Sequence, residues 1–310
     1  MGLVDQTQGS RHEGELNLEP QAQPGDLKLA HYVVALVDVL GQRSKLCQLG
    51  SIPQIGAEET KVHDVLRETV GRVDKVRQAF EQAVMTHMQE IRCSLPMTQD
   101  QQASLEQLNK FEPPRIQSFS DTVVFFAPVA NSAQQPTIAA VSAFLAACAR
   151  VQLFMLGAHV PIRGAIDVGL GIDYWANEIY GPILVQVHEL EQTVAQLPRI
   201  VVGDGLLQYM RHAEAQWQGS SIADQFQCET VKHCRGMISN DMDGVNSVDF
   251  LGKTARTIYT ADTHFLDDAK RALEFVAREH ERFVQARDQK HAERYGRLRC
   301  YLSTRLSEVG

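Results

Sequence analysis

The chain has 310 residues, 44% hydrophobic and 22% charged, with a formal net charge of −8. This suits one large domain with extensions or two small ones and leaves ample apolar material for a core, while the acidic excess argues against general nucleic-acid binding. No apolar run reaches membrane-spanning length, and the opening residues lack a secretory-signal pattern, so the expected compartment is the cytoplasm.

Residues 1–26, polar and rich in Gln, Glu, Gly and Pro, predict a disordered tail. Tyr32 to Gly41 (YVVALVDVLG) then reads as the end of a buried strand that begins near Leu29. Asp38 interrupts this apolar run, and a carboxylate there is costly unless it is paired or holds a metal. Gly41, Gln42, Arg43, Ser44 and Lys45 follow, a turn into a helix whose start could meet phosphate oxygens, with Arg43 and Lys45 adding charge. Residues 57–93 carry an i, i+3, i+4 apolar rhythm (Val62, Val65, Leu66, Thr69, Val73, Val76, Phe80, Val84) and predict a long amphipathic helix. Residues 95–114 read as a polar connection with at most a short helical turn, closed by Pro113-Pro114.

Arg115 to Phe126 (RIQSFSDTVVFF) has two apolar arms around Ser120-Asp121, a β-hairpin with a carboxylate at its tip. Alone, Asp121 is explained by turn chemistry. Beside Asp38 on a neighbouring strand, it would complete a pair able to hold divalent cations against a nucleoside triphosphate. Further on, residues 136–159 predict a buried helix, and 161–173 a strand on which Arg163 and Asp167 alternate with apolar residues. Gly181-Pro182 opens a helix reaching Ala195, and 199–203 is another strand. Residues 203–247 show no clear elements, 248–253 suggest a last strand, and 262–306 are helical. In that helical region Lys290, Arg294, Arg297, Arg299 and Arg305 read as a solvated basic face. The order predicts an α/β sandwich of α+β type, with helices covering a mostly antiparallel sheet. Six scattered cysteines read as buried thiols, and Cys228, His233 and Cys234 lack the spacing of a zinc site.

At these residues the chain resembles a known family. Asp38-Val39-Leu40-Gly41 looks like the first metal-binding strand of class III nucleotidyl cyclases, and Ser120-Asp121 looks like their second metal-binding hairpin. Arg163-Gly164-Ala165-Ile166, Gly181-Pro182-Ile183-Leu184 and His188-Glu189-Leu190-Glu191 are closer to the bacterial pyrimidine nucleotide cyclases of Pycsar antiphage systems. The resemblance spans roughly 29–202. It implies a ferredoxin-type βαββαβ core, with residues 27–260 as the catalytic domain and 261–310 as a helical extension. It also implies two Mg²⁺ or Mn²⁺ ions bound by Asp38, Asp121 and the Val39 carbonyl, and a homodimer with sites at the interface. The product would be a cyclic nucleotide made from UTP or CTP and read by a separate effector, with no nucleic-acid or membrane partner.

The pattern also breaks. Purine cyclases carry an Asn and an Arg on the helix after the Gly that corresponds to Gly181, where this chain has Val185 and Glu189. Arg163 is the substitute cation for the transferring phosphate, unless it forms an ion pair with Asp167 or Glu189. Lys253 and Arg256 are further triphosphate candidates. Gln117 and Glu178 occupy the purine-reading positions, and Tyr174, Trp175 or Tyr180 would fill the space left by a smaller base. The competing readings are a purine cyclase of general signalling and a degenerate cyclase fold that binds nucleotide or a partner without turnover.

Overall fold

The structure, a computed structural model, describes residues 29–47, 49, 57–90, 98–130, 135–173, 178–217, 219, 221–259 and 264–308. The expected tail, together with Tyr174 and Trp175, lies outside the described residues, as do the side chains of Arg43 and Ser44.

Strand β1 (Leu29–Val39) is the axis of the molecule. It pairs antiparallel with β3 (Thr122–Pro128) on one side and with β4 (Ile162–Asp173) on the other. β2 (Arg115–Phe119) closes the hairpin onto β3. The sheet continues through β6 (Ile200–Val202), parallel to β4, and then β8 (Asn246–Val248) and β7 (Ile238–Asn240), while β5 (Ile179–Tyr180) pairs with the end of β4. The full order is β2-β3-β1-β4-β6-β8-β7, a mixed α/β fold on a mostly antiparallel sheet.

The period-two alternation of β1 explains its place. Val33, Ala35, Val37 and Val39 face the larger core, under α2 (Ala57–Glu90) and α4 (Ala139–Gly157). Tyr32, Val34 and Leu36 face a smaller core under α5 (Pro182–Glu189) and the π-helical turn Leu190–Val194 that continues it. A strand buried on both faces needs a continuous apolar run, and this one has it until Asp38. At Gly164 a Cβ would lie 2.3 Å from the Leu36 carbonyl, so this close approach of β4 to β1 requires glycine.

Three expectations are corrected here. The connection 95–114 contains an 11-residue helix, α3 (Gln99–Asn109), because Thr98 and Gln101 form a reciprocal capping box and Leu105 is buried. The last strand predicted at 248–253 ends at Val248; residues 249–252 turn instead, and Lys253 opens α8 (Lys253–Thr257). Helix α4 has the length and hydropathy of a membrane span, but 89% of that window is buried within the protein. The stretch left unassigned holds α6 (Asp204–Gln216) and α7 (Ile222–Gly236) besides β7 and β8. The C-terminal helices α9 (Phe265–Gln285) and α10 (Gln289–Ser307) fold back on each other, and α9 packs on α4. Ala272, Val276, Leu298 and Leu302 thereby join the larger core.

Candidate active site

Asp38 continues the Tyr32, Val34, Leu36 face of β1, one residue from the end of the strand. Its register partners are Thr122 on β3 and Arg163 on β4, so three polar residues lie abreast across three strands. Asp121 immediately precedes Thr122 in the two-residue turn, where Ser120 takes the left-handed conformation (φ 56°) that returns the chain. The Asp121 carbonyl accepts the Val39 N–H at 3.1 Å, which locks the hairpin tip onto the end of β1. The two acids picked out in the sequence therefore meet at one sheet end.

A third acid joins them. Glu191, on the π-helical turn after α5, has a side chain only 2% exposed and meets the Arg163 guanidinium, which also approaches the Asp38 carboxylate at 3.4 Å. Neither contact is aligned as a hydrogen bond: Arg163 Nε and Glu191 Oε1 are both buried and make none. The Thr122 hydroxyl donates to Asp38 at 3.3 Å. The Asp38 carboxyl is pushed up to about 6, first by burial and then by the charges of Glu191 and Asp121, and Arg163 and Thr122 offset only part of this. Asp38 and Glu191 share the Arg163 guanidinium, and the charge of Asp121 adds to theirs at a partly buried strand end. Carboxylate oxygens are the donor type that hard divalent cations take, and among the described residues no three metal-ligating side chains are gathered into a metal site.

The ion pair expected between Arg163 and Asp167 or Glu189 is corrected: its partners are Asp38 and Glu191. Asp167 instead accepts from the backbone N–H groups of Val168 and Leu206, tying β4 to the start of α6. Gln117 faces the smaller core two strands from Leu36, and its Oε1 is buried without a hydrogen-bond partner. The remaining positions expected to meet a nucleotide are dispersed. Helix α1 (Gln42–Cys47), after Gly41 in the left-handed conformation, is six residues long, and Lys45 donates to Glu68 at 2.7 Å. Glu178 is exposed before β5, Lys253 is exposed at the start of α8, and Arg256 turns to Glu308 at 3.8 Å. Tyr180 is exposed, as is Val185 on the outer side of α5.

Sequence reasoning missed the roles of Thr122 and Glu191. A signal for Glu191 existed, because Ile183, Val187 and Glu191 are spaced i, i+4, i+8 along the buried side of the helix, where a carboxylate needs a partner. Compared with family models, curated proteins and solved structures, the chain matches none.

Proposed function

We propose that this chain is a class III-type nucleotidyl cyclase that converts a pyrimidine nucleoside triphosphate, UTP before CTP, into a 3′,5′-cyclic mononucleotide and pyrophosphate. The product would serve as an antiphage signal read by a separate effector. The observation that carries this reading is the convergence of Asp38 and Asp121 at neighbouring strand ends, with Arg163 and Glu191 beside them. The strand order β2-β3-β1-β4, with a helix before the hairpin and another after it, agrees with a ferredoxin-type βαββαβ core.

In this reading the two divalent cations supply the charge that activates the ribose 3′-hydroxyl and neutralises the pyrophosphate. Asp38, Asp121 and the Val39 carbonyl hold them, and Glu191 holds Arg163 in place beside them. Arg163 would take the part that the missing Asn and Arg play, facing the α-phosphorus as the 3′-oxygen, its proton passing to water, bonds to it and the bond from the α-phosphorus to the leaving pyrophosphate breaks. Gln117 reads the base: an amide offers both a donor and an acceptor, which suits the uracil O4/N3–H edge or, turned over, the cytosine edge. Phe119, 83% exposed on the same face as Gln117, and Val185, 58% exposed on α5, are apolar surface that a second copy would cover.

The test is pyrophosphate release and cyclic product from each of the four nucleoside triphosphates with Mn²⁺, alongside light scattering. Cyclic UMP or cyclic CMP from a dimer is expected. Cyclic AMP or cyclic GMP as the main product would overturn the pyrimidine reading, and a fully active monomer would overturn the shared-interface reading.

A further inference from the structure

Arg294, on α10, is half-buried and differs from Arg297 and Arg305 of the same helix. Arg297 pairs with Glu293 and approaches Asp243, and Arg305 pairs with Asp249 and Glu308. Arg294 has no carboxylate within ion-pair distance among the described residues. It donates to Gln196 Oε1 at 3.4 Å. Gln196 lies just beyond the π-helical turn that carries Glu191, in the segment whose Arg199 carbonyl accepts the Gly164 N–H next to Arg163. The C-terminal helix is therefore docked on the chain that frames the Asp38 end of the sheet. The half-buried Arg294 guanidinium is pulled below its ordinary value by burial and then by the positive charge of Arg163. Asp288, the nearest acidic influence, is already bonded to His291. Two guanidinium groups within electrostatic reach, one of them without a carboxylate, suit a bound polyanion.

We infer that Arg294 is a polyphosphate-binding residue of the same site, reaching the β,γ-phosphate end of a nucleoside triphosphate from the C-terminal helix of the same chain. This rests on the nucleotidyl cyclase reading only for the identity of the triphosphate. It makes α10 part of the site rather than an appendage to it.

The test titrates inorganic tripolyphosphate with Mn²⁺ into the full-length protein by calorimetry, for wild type, Arg294→Gln, Arg294→Lys and Arg299→Gln, an exposed neighbour on α10. Arg294→Gln should weaken binding about tenfold or more, Arg294→Lys should recover part of it, and Arg299→Gln should match wild type. Thermal melting identifies any variant lost through misfolding, and Arg294→Lys then carries the comparison, with weaker binding than wild type expected from a folded protein. Equal affinity of a folded Arg294→Gln and wild type, or no tripolyphosphate binding by wild type, would overturn the inference. Parallel cyclisation assays separate the two ideas. Arg294-dependent binding without cyclic product from any triphosphate would sink the cyclase reading alone, whereas full cyclase activity in Arg294→Gln would sink this inference alone.

Discussion

Two arginines, Arg199 buried and Arg163 half-buried, flank the same end of the sheet, and they are satisfied in opposite ways. Arg199 sends Nη1 to Asp241 at 2.7 Å and to Asp243 at 2.9 Å, and Nη2 to Asp243 at 2.7 Å and to the Val194 carbonyl at 3.2 Å. Only its Nε is left without a bond. Arg163, also between two acids, meets Asp38 at 3.4 Å and presses on Glu191 without hydrogen-bond alignment. The difference appears in the carboxylates: Asp243 is pulled below its ordinary value by the Arg199 hydrogen bond, while Asp38 is pushed up to about 6. A forked guanidinium with its acids in plane ties loop to strand and contributes to stability. A guanidinium shared unevenly among excess carboxylates is expected where function, not stability, selected the residues.

The largest effect that would break this comparison is catalytic. Asp38→Ala and Asp121→Ala should each lower cyclic nucleotide formation by about 10³-fold or more while leaving the melting profile folded. Near-normal Mg²⁺-dependent activity in Asp121→Ala would show that the acid pair is not the metal site. Next comes stability at the other arginine. Arg199→Ala leaves Asp241 and Asp243 without a partner, and urea unfolding should show a loss of about 2–4 kcal/mol, reduced from the fully buried case because both acids keep some contact with water. A loss below about 1 kcal/mol would put Arg199 on the same footing as a surface pair.

Asp38→Asn sharpens the contrast, because on the proposed reading it should abolish cyclic nucleotide formation while stabilising the metal-free protein. The Asp38 value in the fold lies above its ordinary one, so its contribution is fully present below about pH 4 and is lost as pH rises through about 6. Removing the charge should therefore raise stability by about 3 kcal/mol near pH 8, and the gain should fade toward pH 4. A pH-independent gain would assign the effect to packing instead.

The smallest effect, read between pH 6.5 and 5, concerns His87, buried against Ser142 at 2.9 Å, whose value is pushed down to about 3 first by burial and then by the charges of His233 and Arg150. A histidine held neutral in the fold takes up its proton more readily when unfolded. Stability should fall as pH drops below about 6.5, by about 1 kcal/mol per pH unit until about 3 is reached. Denaturant melts between pH 6.5 and 5 should show this slope in wild type and a shallower one in His87→Asn. Equal slopes would place the acid sensitivity elsewhere.

Local patterns in the chain were enough to delimit β1, the 115–128 hairpin, α4 and β4. Their apolar periods and their turn residues, Ser120-Asp121 and Gly181-Pro182, point the same way. For the same reason Asp38 and Asp121 stood out, since a carboxylate in an apolar run announces itself by its cost. Residues 203–247 did not yield, because α6 and α7 bury few residues each and depend on α4 and β4 for their faces. The partner of Arg163 was equally out of reach, since an arginine on a strand gives no hint of which acid a later helix will bring to it. Glu191 arrives there only because the helix after Gly181 continues into a π-helical turn against β4, and Arg294 only because α10 folds back along α9. Charges separated by 28 or more residues are brought together by packing of the apolar faces between them, and that packing is settled by the whole core at once.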